Sequence, residues 1–237
     1  MDIWKYSALC FLLFCSVNSS AQQKWFETTA GTGLSFATTK ASPLDYQTRI
    51  LPHLGVTAFI PFSKTVALKT GVIYQQKGNK TAGALKDSLD VFNVISSEET
   101  FHYLSIPLQL AFNFSEHSSG LWRVAAGMSY GFLVKATKSI DFQTYDGGTF
   151  VGEDSKSFNQ AIGIESSQNY PGLPAQEGTA LYVFTPAVRL DLSYQWQRQF
   201  VFSAFYEYNL QDNRMRIHQN ARTNLHYTGI SVGVIIR

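Results

Sequence analysis

Residues 101–114, FHYLSIPLQLAFNF, carry an apolar or ring-bearing side chain at every second position from His102 to Phe114. A period of two is a β-strand with two unlike faces. The face of Leu104, Ile106, Leu108, Leu110, Phe112 and Phe114 is greasy, and the face of Tyr103, Ser105, Pro107, Gln109, Ala111 and Asn113 is mixed and mostly polar. Such a strand suits two settings. In a water-soluble protein the greasy face covers a core. In an outer-membrane barrel it meets lipid, and the polar face lines the interior.

The same alternation recurs over 25–37, 49–62, 65–76, 121–137, 181–196, 200–210 and 223–237, and no strong helical period appears after residue 21. The connections decide how these eight stretches close. Ser63-Lys64, the stretch 115–120 and Gln197-Arg198-Gln199 are tight; 38–48, 77–100, 138–180 and 211–222 are long. Short and long alternate strictly, so in an up-and-down barrel all short turns fall at one end and all long loops at the other. A structureless loop of some forty residues is out of place in a compact soluble domain. The expected fold class is all-β: one eight-stranded antiparallel up-and-down transmembrane β-barrel over residues 22–237.

The second face of each strand points the same way. It holds small residues with a few charges, as in Arg123, Ala125, Gly127, Ser129, Gly131 and Lys135. A water-exposed surface has no need to be small, whereas the lumen of an eight-stranded barrel has room only for side chains. Glu27, Lys69, Arg123, Arg189, Asp191 and Glu207 fall on this face with three charges of each sign. Enclosed charges must pair, because an unpaired one is costly to desolvate. An ion-paired lumen network is therefore expected.

Rings sort to the two ends of the greasy face. Phe62, Phe112, Phe114, Trp122, Tyr194, Trp196, Phe200 and Phe202 lie near the short turns, and Tyr74, Tyr130, Phe132, Tyr182, Phe184, Tyr206 and Tyr208 near the long loops. Between them the face is aliphatic, with Ile106, Leu108, Val188, Leu190 and Val232. Two aromatic belts flanking an aliphatic band match the two interfaces of a membrane. The competing reading is a soluble barrel of the lipocalin kind, with the apolar face turned inward.

Composition agrees. Charged residues make up 15% of the 237, against roughly 25% in soluble domains. The net charge of +2 gives no reason to expect nucleic acid. Lys5, the apolar run Tyr6 to Cys15 and the small residues Ser19 and Ala21 read as a secretory signal cleaved after Ala21, residues 1–21. Lipidation at Cys15 is the lesser alternative, because Phe14 stands where a small residue is usual. Both cysteines, Cys10 and Cys15, lie in this segment, so the mature chain has no thiol chemistry.

Three stretches carry a family likeness. GVIYQQKG (71–78), YLSIPLQL (103–110) and AAGMSYGFL (125–133) resemble the third, fourth and fifth strand signatures of the PorT-like outer-membrane β-barrel family of Bacteroidetes. The resemblance implies an eight-stranded barrel exported to the outer membrane, and a link to protein secretion and gliding through the founding member. One departure stands out: the chain ends Ile235-Ile236-Arg237, where many outer-membrane barrels end in an aromatic residue.

Other motifs have weaker claims. Gly31-Thr32-Gly33 lacks the third glycine and the helix of a phosphate loop and reads as small lumen residues. His53, His102, His117, His218 and His226 show no metal-ligand spacing. Some eight-stranded barrels cleave or transfer lipid A acyl chains with a lipid-facing His and Ser, but Ser105 has the opposite parity from His102. Asp141, Asp146, Glu153 and Asp154 beside Gly147-Gly148 read as a solvated loop, not a calcium site. Phe142, Tyr145, Phe150, Phe158 and Tyr170 in that loop are expected to pack over the barrel mouth.

The function expected is non-enzymatic, with no catalytic residue, no metal and no cofactor. The partners expected are outer-membrane lipid and, through loops 77–100 and 138–180, envelope or secretion-system proteins. A small-solute channel is the runner-up, disfavoured by so narrow a lumen. A lipid A-modifying enzyme is third.

Overall fold

The structure, a computed structural model, describes residues 24–39, 45–86, 92–117, 120–146, 149–160, 162, 181–197, 199–211 and 223–236. The expected signal segment 1–21 and Tyr170 lie outside them. The described residues form one ten-stranded sheet: β1 (Trp25–Thr39), β2 (Asp45–Gln47), β3 (Arg49–Pro61), β4 (Val66–Lys86), β5 (Phe92–His117), β6 (Gly120–Asp146), β7 (Thr149–Asn159), β8 (Phe184–Trp196), β9 (Phe200–Asn209) and β10 (Thr223–Ile236). Neighbours run β4-β3-β1-β10-β9-β8-β6-β5, and β5 pairs back onto β4. Eight antiparallel strands thus close a ring, with β2 and β7 attached outside it on β4 and β6. Closure leaves the ring without an edge, so every strand is satisfied on both sides.

The polarity of the ring is inside-out. Leu104, Leu190 and Val232 are 41%, 49% and 52% exposed, while Arg189 and Glu207 are 3% and 1% exposed. Along β8 the pattern is strict: Phe184, Val188, Leu190, Leu192 and Trp196 face out, and Thr185, Ala187, Arg189, Asp191, Ser193 and Gln195 are buried. In water such an exterior would be an unstable apolar belt; against hydrocarbon it is the expected one.

The loops expected at 77–100 and 138–180 are, in large part, strand. β4 runs on to Lys86, β5 begins at Phe92, and β6 continues to Asp146 before turning into β7. Asn79 pairs Glu99, Lys80 pairs Glu98, and Ser139 pairs both Glu98 and Ser157. The reason is physical. Above the membrane the outer face meets water, so the apolar alternation that marks a strand in lipid is no longer required. Pairing continues where the sequence signal stops.

Two further expectations are corrected. Tyr182, assigned to the loop-end belt, precedes β8 instead of standing on it. Lys135, assigned to the lumen, is exposed. The register pairs Tyr103 with Leu133 but His102 with Lys135, so Val134 is an extra residue in β6. This bulge reverses the parity of everything beyond it.

The family-like motifs meet across one ladder. The register pairs Thr70 with Leu108 and Ile73 with Ser105, which sets Gly71 opposite Pro107. Pro107 has no N–H to give to that ladder. Gly71 has φ +151°, and a Cβ there would stand 2.2 Å from the Val56 carbonyl oxygen of β3. Only glycine fits so close an approach with that backbone.

Candidate functional site

The lumen is filled by side chains in layers. Toward the short-turn end, Trp25 stacks on Phe59 at 5.2 Å, and the Arg123 guanidinium lies 4.3 Å from the Phe59 ring centre. Arg123 pairs with Glu27 at 3.6 Å and donates from Nε to Asn113 Oδ1 at 3.1 Å. Deeper in, Arg189 bridges two carboxylates, Asp191 at 3.0 Å and Glu207 at 3.1 Å. Lys69 approaches Asp191 at 3.5 Å. Lys77 donates to Glu207, and to Asn209 Oδ1 at 2.8 Å. Gln75 donates to Glu207 at 2.9 Å and to Ser105 at 3.0 Å.

The six charges named from the sequence thus fall in two groups, Glu27 with Arg123, and Lys69, Arg189, Asp191 and Glu207 together. Sequence reading missed Lys77, because its strand was ended at residue 76. Continued by two, the inward set Lys69, Ile73, Gln75 arrives at Lys77. The lumen holds Phe59, Phe101, Tyr103, Phe205 and Tyr227 as well as small residues. The glycines make their room: a Cβ on Gly33 would stand 2.5 Å from the Tyr227 ring, and one on Gly229 2.9 Å from Phe205.

Above the network, Phe101, Tyr103, Leu133, Ala136, Leu181 and Leu225 form one buried apolar cluster with Ala37 and Ile162 against it. These residues come from β1, β5, β6, β10 and two points between β7 and β8, so the cluster closes the external end of the lumen. His53 sits to one side, edge-on to Phe205 at 4.7 Å.

On the outside, Phe62, Phe112, Phe114, Trp122, Trp196, Phe200 and Phe202 are exposed near the short turns, with Tyr194 tilted against Trp122 at 4.9 Å. Near the other end Phe184 packs on Tyr130 at 5.8 Å and Phe132 at 5.4 Å. Tyr74 bonds His102 Nδ1 at 2.6 Å, and Tyr206 bonds His226 Nδ1 at 2.8 Å, with Tyr208 beside it. His102 and Ser105 point to opposite sides: Ser105 is wholly buried and receives the Gln75 amide.

Above the membrane, Asp141, Glu153 and Asp154 line the β6–β7 hairpin. Ser96 donates to Asp141 at 2.5 Å, and Gln143 to Glu153 at 2.7 Å. The hydroxyls of Ser96 and Ser155 hold the Asp141 carboxyl below its ordinary range. Phe142 is buried, whereas Phe150 is 53% exposed with Tyr145 edge-on to it.

A family model described as outer membrane protein beta-barrel domain matches residues 20–215. No curated protein matches the chain. Among solved structures the chain is similar to Ail of Yersinia pestis, in complex with the heparin analogue sucrose octasulfate, at 12% identity and TM-score 0.43 over 91% of this chain and 100% of that one. It is similar to Neisserial surface protein A at 10% identity and TM-score 0.40, covering 88% and 96% of the two chains. OprG of Pseudomonas aeruginosa is similar at 10% identity and TM-score 0.40, covering 91% and 97%. Likeness at this level says nothing of what the chain does. The family match spans most of the sequence, and the chain belongs to the outer membrane protein beta-barrel domain family.

Proposed function

We propose that this barrel is a non-enzymatic outer-membrane protein whose external sheet is a contact surface for envelope or secretion-system proteins, as the PorT-like resemblance implies. One observation carries the reading. β4, β5, β6 and β7 continue as a paired sheet well past the loop-end belt, while the lumen beneath them is occupied by side chains. A stiff platform outside the membrane is suited to binding, and a filled lumen is not suited to transport. The separation of His102 from Ser105 speaks against acyl-transfer chemistry.

The sheet can be trimmed without touching the ring. Asn79 and Glu99 are ladder partners, as are Lys138 and Phe158. Replacing 80–98 and 139–157 each by Asn-Gly removes the external sheet and closes both hairpins with a favourable turn. In the cell of origin lacking the native gene, the trimmed protein is expected to reach the outer membrane and keep heat-modifiable gel migration, yet fail to restore protein secretion. Full restoration by the trimmed protein overturns the role of the sheet. Normal secretion without the gene overturns the secretion role itself.

A further inference from the structure

The bulge at Val134 has a consequence on the lipid side. It turns Lys135 outward, directly across the ladder from His102. Bulges commonly re-aim one side chain in this way. Among the described residues no ion pair engages Lys135, and Glu98, on the same face of β5, is held by Arg49 at 2.5 Å.

The level matters. One ladder step toward the short turns, the outer face presents Tyr74, Leu104 and Phe132; one step the other way it presents Thr100 and Thr137. Lys135 therefore stands where apolar side chains give way to polar ones, at the depth of lipid headgroups. Lysines at that depth bury their stems and present the ammonium to the interface.

Its neighbours are set as donors. Gln76 Nε2 donates to the Tyr74 hydroxyl oxygen at 3.0 Å, and that hydroxyl lies 2.6 Å from His102 Nδ1. In the tautomer in which Tyr74 donates to Nδ1, His102 carries its proton on Nε2. An ammonium, an imidazole N–H and apolar side chains just below match one ligand, a phosphate borne by acyl chains.

A second Tyr–His pair on the opposite wall shows what such a pair looks like without this cluster. Tyr206 bonds His226 in the same way, but His226 is stacked under Phe36 at 4.8 Å, is 9% exposed, and faces Tyr208 and Phe36 instead of a lysine.

We propose that Lys135, turned outward by the Val134 bulge beside the Tyr74–His102 pair, binds the phosphate of an outer-leaflet lipid headgroup. The test is native mass spectrometry of the intact barrel released from detergent containing bisphosphorylated lipid A or the same lipid without its phosphates. The wild type is expected to retain the phosphorylated lipid roughly tenfold more than the dephosphorylated one. Lys135→Gln loses that preference, Lys135→Arg keeps it, and Lys24→Gln, a lysine before β1, leaves it unchanged. Heat-modifiable migration of each variant establishes that the ring is intact. Equal retention of the two lipids, an undiminished preference in Lys135→Gln, or displacement of the lipid by millimolar inorganic phosphate overturns the proposal.

Discussion

Replacing Glu207 by glutamine destabilises the folded barrel in lipid vesicles by about 3–5 kcal/mol, read as a fall in the urea midpoint of unfolding. The side chain keeps its size, so packing is spared. What changes is charge. In the deeper network Lys69, Lys77 and Arg189 face Asp191 and Glu207, three cations against two carboxylates. The substitution leaves three cations against Asp191 alone, in a lumen where Arg189 is 3% and Lys77 3% exposed. Arg189→Met, by contrast, leaves two of each sign and costs less, although it removes the residue that touches both carboxylates. Glu207→Gln combined with Lys77→Met restores the wild-type excess of one cation and recovers part of the loss, a coupling that a double-mutant cycle measures. Were these charges bathed in water, each substitution would cost under about 1 kcal/mol.

The second large effect lies on the outer wall. Leu190 stands midway along β8 between Tyr194 and Phe184, with Ala126 and Tyr206 as its cross-strand neighbours. Leu190→Arg places a charge at the centre of the hydrocarbon and costs roughly 2–4 kcal/mol in vesicles. Phe114→Arg, within the short-turn belt, costs roughly 0–1 kcal/mol, because the guanidinium reaches the interface. Both residues are comparably exposed, at 49% and 60%. On a water-soluble protein the two would behave alike. The difference between them reports depth, and equilibrium unfolding of the pair measures it.

The membrane-embedded part of the fold was legible in the sequence because lipid imposes a period. Leu104 to Phe114 and Phe184 to Trp196 alternate, since one side of each strand must be apolar and the other must fit a narrow lumen. The external sheet was not legible, for the complementary reason. From Lys77 to Lys86 and from Lys138 to Asp146 both faces tolerate polar residues, so no alternation survives to mark the strand. Of the lumen charges, those inside the alternating stretches were found, and Lys77, one residue past such a stretch, was lost with the strand that carries it. The outward turn of Lys135 was hidden for a different reason. A one-residue bulge leaves no mark in composition, and parity counted across it gives the wrong side. The inward parity of Tyr227 was legible, but not the room it needs: Gly33 stands diagonally from it on the neighbouring strand, a placement fixed by the register of Ser35 with Tyr227 across 192 positions of chain.

The inside-out polarity of the ring is tested most directly by depth. A fluorophore is attached to cysteine introduced at Leu190 or Val232 of the mature barrel reconstituted in vesicles. Quenching by nitroxide lipids labelled near the end of the acyl chain is expected to be strong at both sites, and quenching by aqueous iodide weak. Strong iodide quenching at either site with none from the nitroxide lipids would contradict it.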